Sequence, residues 1–464
     1  MADPKEAAAY VAGLVERSKK AQAQIEFACQ EEVDDLVVRV AWAGCQPDFA
    51  KKLADFAAEE SGMGYGPHKV GKIMTKVKGA LRDMKGKKSV GVVEDDKENG
   101  IVRVAKPMGV IGALIPVTNP EATPFVKAIS ALKTRNSIIM ASHPRTKKTN
   151  IMAVNRIRET LKKNGYPEDL VINVDELSVE ASQALMSQCD LILATGGGGM
   201  VKAAYASGTP AQGVGAGNAV CVIDETADLK DAADKIMRSK TFDHATSCST
   251  ENSLVIQEDI YDNMIKALEA EGGYVVNGEE KKRLQDHMWK DGILNREIVA
   301  QPAQKIAKGA GISMPEDKTF LLVPEDGVGK EHPFSGEKLS PVSAVFKYKE
   351  FEEAVDLVNR ITTFSGPGHS CGIHSFNNLR IKKLSDEVRV SRIMVRQPQC
   401  LANSGAWTNG MPMSMTLGCG SWGGNSTTEN VTWKHLLNYT WVSYEIPSTM
   451  PTDEELFGNV MREG

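Results

Sequence analysis

No two cysteines in this 464-residue chain are spaced as CxxC; the eight thiols, at 29, 45, 189, 221, 248, 371, 400 and 419, are scattered. That spacing suggests neither a zinc cluster nor a disulfide framework, and no metal site is expected. Reduced thiols in a cytosol fit best. Long apolar runs are also missing. The longest, Val110 to Val117, is interrupted by Gly112 and Pro116 and is far too short to span a bilayer. The N-terminus, Met1-Ala2-Asp3-Pro4, leads into a charged, Ala-rich stretch without the apolar core of a signal peptide. A formal charge of −5, from 55 basic and 60 acidic residues, gives no electrostatic case for nucleic acid or an anionic membrane. These absences predict a soluble cytoplasmic protein that handles small molecules.

What is present is ordinary in bulk, with 42% hydrophobic and 25% charged residues. The length predicts two domains and an appendage. Residues 4–62 read as two or three amphipathic helices. From about residue 101 the texture alternates. Strand signals at Ile101–Ala105, Val110–Pro116, Ser137–Ala141, Leu170–Val174 and Leu191–Ala194 interleave with helical ones at 123–133, 148–163 and 178–187. This βαβα pattern predicts an α/β fold with a helix-covered parallel sheet. A second α/β region runs from about 240 to 424. Beyond it, Ile446 to Pro451 is a linker, and Thr452 to Glu455 is a capping box opening a short helix with Leu456, Phe457, Val460 and Met461 on one side. That tail either docks on the body or a neighbouring subunit, or targets an enzyme assembly or microcompartment.

Cys248 stands among small polar residues, ahead of the apolar run Ser253 to Gln257, as a thiol presented at the start of a strand. A small buried residue is the commoner fate of a cysteine, so its neighbours must decide. Gly196 to Gly199 form a turn between a strand and a helix, where backbone approaches a ligand closely and the helix N-terminus favours phosphate. A second glycine run, Gly213-Val-Gly215-Ala-Gly217-Asn218, follows. His143-Pro144-Arg145 closes the strand ending at Ala141, where a basic cluster either contacts a nucleotide or is a solvated helix start. Thr118-Asn119-Pro120 sets a side-chain amide in a rigid turn, suited to an oxyanion but equally to an ordinary turn.

In this order and spacing the motifs resemble the aldehyde dehydrogenase superfamily, specifically its CoA-acylating branch, over about residues 15–440. Leu417-Gly418 to Ser426, Glu337 to Val342 and Gly368-His369-x-x-x-Ile373-His374 also match. The resemblance implies an aldehyde dehydrogenase-like fold. It has a Rossmann-like NAD or NADP domain over 1–237, a catalytic domain over 238–424, and an oligomerising arm and tail over 425–464. It implies Cys248 as nucleophile, with Asn119 and the Cys248 N–H as oxyanion donors and Glu337 as a cofactor-ribose ligand. Thr118, His143, Pro144, Arg145, Gly196, Gly197, Gly215, Gly217, Asn218 and His369 fill the remaining cofactor-binding positions. A homodimer or homotetramer is expected.

Hydrolytic members carry a glutamate base where this chain has Gly215-Ala216-Gly217-Asn218. Without that base a cysteine thioester survives to meet the thiol of coenzyme A. Two departures from the branch stand out: Asp243-His244-Ala245 replaces the usual Asp-Asn-Gly, and Ala216 replaces a proline. Within the branch the chain most resembles enzymes of short anionic aldehydes, sulfoacetaldehyde first, with succinic semialdehyde and acetaldehyde as alternatives. Arg396, where relatives have Asn, either binds the anionic tail or is a surface or internally paired arginine, and His244 either tunes the pocket and thiol or is a spectator.

Overall fold

The computed structural model describes residues 3–462. Four helices open the chain, Pro4–Ile25, Gln30–Cys45, Pro47–Ser61 and Gly66–Met84. Three of them carry proline in the first turn, where its fixed φ and missing N–H cost nothing. The fourth is not anticipated by the sequence. Its inner face holds Ile73, Val77 and Ala80 but also Lys69, Lys72 and Lys76, so the usual apolar stripe is broken by charge. Helix Gln30–Cys45 lies against helix Thr123–Lys133 so closely that a Cβ on Gly44 would sit 2.6 Å from the Phe125 ring.

Five parallel strands form the first sheet, in the order Val171–Asn173, Ser137–Ser142, Val110–Ile115, Leu191–Thr195, Ala211–Val214. The strands Val110–Ile115 and Ser137–Ser142 are buried along their whole length, as expected where helices cover both faces. The second sheet has seven parallel strands, with Glu251–Gln257, Ala219–Ile223 and Cys371–His374 adjacent near its middle. Because Ala219–Ile223 pairs there, the chain leaves the first sheet in the turn 215–218. The boundary expected at 237/238 therefore falls too late, inside the second unit.

The segment 425–464 does not stand alone either. Trp433, Leu436 and Leu437 pack into the first core, and strand Leu437–Ser443 pairs antiparallel with Ile101–Pro107, which pairs with Gly91–Asp96. The arm is thus built from both ends of the chain. On it Trp441 and Tyr444 are exposed. The terminal helix Asp453–Arg462 has its N-terminus capped by Thr452 and Glu455, breaks at Gly458 and buries no side chain. Among the described residues no helix is long and apolar enough to cross a membrane.

Gly44→Val should force this tight helix pair apart at a cost of about 1–3 kcal/mol, read as a lower thermal midpoint. An unchanged midpoint would show that the packing is looser than described.

Candidate active site

A cavity of about 770 Å³ opens where the first sheet's strands end. Its wall takes Pro116, His143, Pro144, Gly196, Gly197 and Gly215 from the loops that follow four of those strands. The strand order reverses beside Val110–Ile115, and ligands of open α/β sheets bind at such a point, beyond the carboxyl ends. A Cβ on Gly197 would meet nothing within 4 Å, and one on Gly215 only the Gly198 backbone. The two glycine turns therefore leave open backbone beside the N-terminus of helix Gly198–Ala206. That is a cradle suited to a dinucleotide's phosphates.

The opposite wall carries Thr246, Ser247, Cys248 and Ser249, placed by an unusual bend. After helix Leu229–Thr241, residues Asp243, His244 and Ala245 all have positive φ, between 50° and 60°. Such a run of non-glycine residues is strained and needs external support. Asp243 supplies it. Its carboxylate accepts from the Tyr65 N–H at 2.6 Å, Lys69 at 3.1 Å and Thr246 Oγ1 at 2.8 Å, and from Lys72. Its own N–H donates to His68 Nδ1 at 2.8 Å. Burial alone would raise this carboxyl, but Lys72 and Lys69 overcome it and bring the pKa down to about 2.

Lys72 then reaches the second reactive group. Its ammonium donates to Asn119 Oδ1 at 2.7 Å, while Asn119 Nδ2 donates to Thr118 Oγ1 at 3.1 Å. An ammonium has no acceptor, so the amide must turn its oxygen to Lys72 and keep its N–H donors on the other side. Thr118 and Asn119 both line the cavity.

Cys248 Sγ lies 3.1 Å from His369 Nε2, and His369 Nδ1 lies 2.9 Å from Ser370 Oγ. Burial, then the Arg392 guanidinium, pulls the imidazole down to about 3. Burial, then the neighbouring Glu337 and Cys419, pushes the thiol up to about 12. Both shifts favour a neutral pair, with the thiol donating to Nε2 and Nδ1–H donating to Ser370. Glu337 is the one carboxyl on the cavity wall among the described residues. Its Oε1 accepts the Gly217 N–H at 3.1 Å, and burial raises it to about 8, which favours the protonated form.

The sequence profile of the aldehyde dehydrogenase family matches residues 7–285. The chain belongs to the aldehyde dehydrogenase family. It is 48% identical over 458 residues to a sulfoacetaldehyde dehydrogenase of an Acholeplasma species, covering 98% of this chain and 94% of that one. To the sulfoacetaldehyde dehydrogenase (acylating) of Bilophila wadsworthia it is 44% identical over 460 residues, covering 98% and 99%. The crystal structure of an acetylating aldehyde dehydrogenase from Geobacillus thermoglucosidasius superposes with a TM-score of 0.93 at 36% identity, covering 98% of this chain and all of that one.

In this aldehyde dehydrogenase six of the residues expected at the site are not on the cavity wall. His369 sits behind the sulfur instead, as its hydrogen-bond partner. A Cβ on Gly217 would collide with the Cys248 carbonyl and lie 2.9 Å from His369, so packing alone requires glycine there. Asn218 is fully buried and donates to the carbonyls of Ser335 and Ile361. Arg145 turns away to the Ser61 carbonyl at 2.5 Å. His244 packs beside Tyr65, with ring centroids 6.0 Å apart. Arg396 has φ +50°, which swings its guanidinium onto the Ser375 carbonyl and over the Phe376 ring. Neither Arg396 nor His244 lies on the cavity wall, so the geometry lends no support to an anion-binding role for Arg396 or a pocket role for His244.

The sequence overlooked Lys72, Lys76 and Asp243, all of which shape the site. The available signal was lysine at 69, 72 and 76, a spacing of three and four that puts charge on one helix face. Asp243→Ala would leave two buried ammonium groups facing each other. It should cost about 3–5 kcal/mol and abolish activity, measured by thermal unfolding and turnover. Wild-type stability in that variant would contradict the support assigned to this carboxylate.

Proposed function

We propose that this enzyme is a CoA-acylating aldehyde dehydrogenase. It oxidises a short anionic aldehyde, sulfoacetaldehyde first, to the acyl-CoA with NAD(P), through a thioester on Cys248. The observation that carries the reading is a thiol 3.1 Å from an imidazole in a cavity whose one carboxyl, among the described residues, accepts the Gly217 N–H. The similarity to acylating relatives supports the same chemistry. Succinic semialdehyde is the second candidate substrate.

Gly196, Gly197, Gly215 and His143 would hold the dinucleotide, which supplies the hydride acceptor when bound. His369 takes the thiol proton as sulfur adds to the carbonyl carbon. A lasting imidazolium is disfavoured by burial and by Arg392, so the proton leaves for solvent as the one proton that aldehyde oxidation releases overall. The oxyanion that forms meets the Asn119 amide, already oriented by Lys72, and the Cys248 N–H. Preorganised donors of this kind stabilise developing charge without reorganising. When an incoming thiol attacks the thioester, the same imidazole accepts its proton and returns it to Cys248. A nucleophile of that strength needs no carboxylate base, whereas water does.

For self-association the exposed antiparallel arm is the natural element, and the unburied terminal helix is the candidate for docking into a larger assembly. A homodimer or homotetramer in the cytosol, with the tail free to engage such an assembly, is the state we infer.

The test is an aldehyde-by-cofactor matrix, with and without CoA, read as thioester product. Sulfoacetyl-CoA should form only with CoA present; free acid released equally fast without CoA would contradict the acylating reading. Asn119→Ala should lower turnover roughly a hundredfold or more, for a loss on the order of 3 kcal/mol. His369→Ala should lower it by about 10²–10⁴. Rates within threefold of wild type for either would remove that residue from the chemistry.

A further inference from the structure

We infer that Lys76 is the receptor for the anionic tail of the aldehyde, a role the sequence leaves open to Arg396. This rests on the reading of the cavity as an aldehyde site.

Helix Gly66–Met84 turns Lys69, Lys72 and Lys76 toward the interior. Two carboxyls answer them. Asp243 contacts Lys69 and Lys72, and the buried Glu121 lies 3.8 Å from Lys69. Lys76 has no carboxylate within 4 Å among the described residues. It donates only to two backbone carbonyls, of Ser404 at 3.2 Å and Gly405 at 2.7 Å. An ammonium has three N–H donors, so one is left without a protein acceptor. A buried cation without a counter-ion is costly. Burial draws this one down to about 8, the direction expected of a charge that lacks its partner.

Lys76 also lines the cavity that holds Cys248 and Asn119. It stands one helical turn, roughly 6 Å along the axis, from Lys72, which touches the Asn119 amide. An aldehyde whose carbonyl oxygen faces Asn119 can therefore set a tail of a few atoms against Lys76. A sulfonate or carboxylate there supplies both the missing acceptor and the missing charge. The other cation on the wall free of Asp243, Arg238, is half-exposed and already paired with Asp234 at 3.4 Å.

The deciding quantity is the ratio of kcat/KM for sulfoacetaldehyde to that for propionaldehyde, with CoA present. In Lys76→Met and Lys76→Gln this ratio should fall at least tenfold, mainly through KM, and Lys76→Arg should keep it within threefold of wild type. A merely structural lysine would depress both substrates alike, and an unchanged ratio overturns the inference. If the wild type does not turn over sulfoacetaldehyde, the substrate assignment fails first. Lys76 is then read through protection of Cys248 from iodoacetamide, measured by peptide mass spectrometry. Sulfoacetate should slow alkylation of the wild type far more than uncharged propionamide, and that advantage should vanish in Lys76→Gln. Equal protection by the two compounds, or an advantage that persists in the variant, overturns the inference.

Discussion

Asp243 is buried between Lys69 and Lys72, and both reactive groups of the site depend on that contact. On one side the carboxylate anchors three residues with positive φ, which place the Cys248 loop against the cavity. On the other it holds Lys72 so that its ammonium fixes the Asn119 amide. One ion pair thus sets the nucleophile and the oxyanion donor relative to each other. Two buried lysines and one buried carboxylate would be costly as isolated charges; they are tolerated because each is paired and hydrogen-bonded.

The electrostatics around the sulfur work in the opposite sense. Burial disfavours charge on both Cys248 and His369, and the guanidinium of Arg392 adds to this at the imidazole, so a neutral pair is favoured at rest. Such a thiol is oxidised and alkylated more slowly than a free thiolate would be. The same desolvation raises the Glu337 carboxyl to about 8 and favours its protonated form, which is not a base toward water. Desolvation therefore acts on both the thiol and the carboxyl beside it.

Much of the cofactor half was readable from the amino-acid order. Strands Val110–Ile115 and Leu191–Thr195 are short apolar runs bounded by turn residues, and the glycines that follow Leu191–Thr195 project no side chain into the cavity. Local pattern suffices there because parallel-strand ends and their loops are built from contiguous residues. It fails where geometry is long-range. The positive φ of Arg396 reverses its side chain, and nothing in Met394-Val395-Arg396 announces that turn. His369 and Cys248 are 121 residues apart in the chain and meet only because strand Cys371–His374 enters the second sheet beside Ala219–Ile223. Helix Gly66–Met84 is obscured because its lysines face inward, which a reading by hydrophobic periodicity takes for surface.

The central claim is that an acyl group rests on Cys248 until a thiol removes it. Mass spectrometry of the protein incubated with aldehyde and NAD(P), CoA being withheld, addresses it directly. One acyl group should be found on the peptide containing Cys248, should persist, and should pass to CoA as soon as CoA is added. Prompt appearance of free acid with an unmodified Cys248, or an adduct carried by another cysteine, would contradict the account.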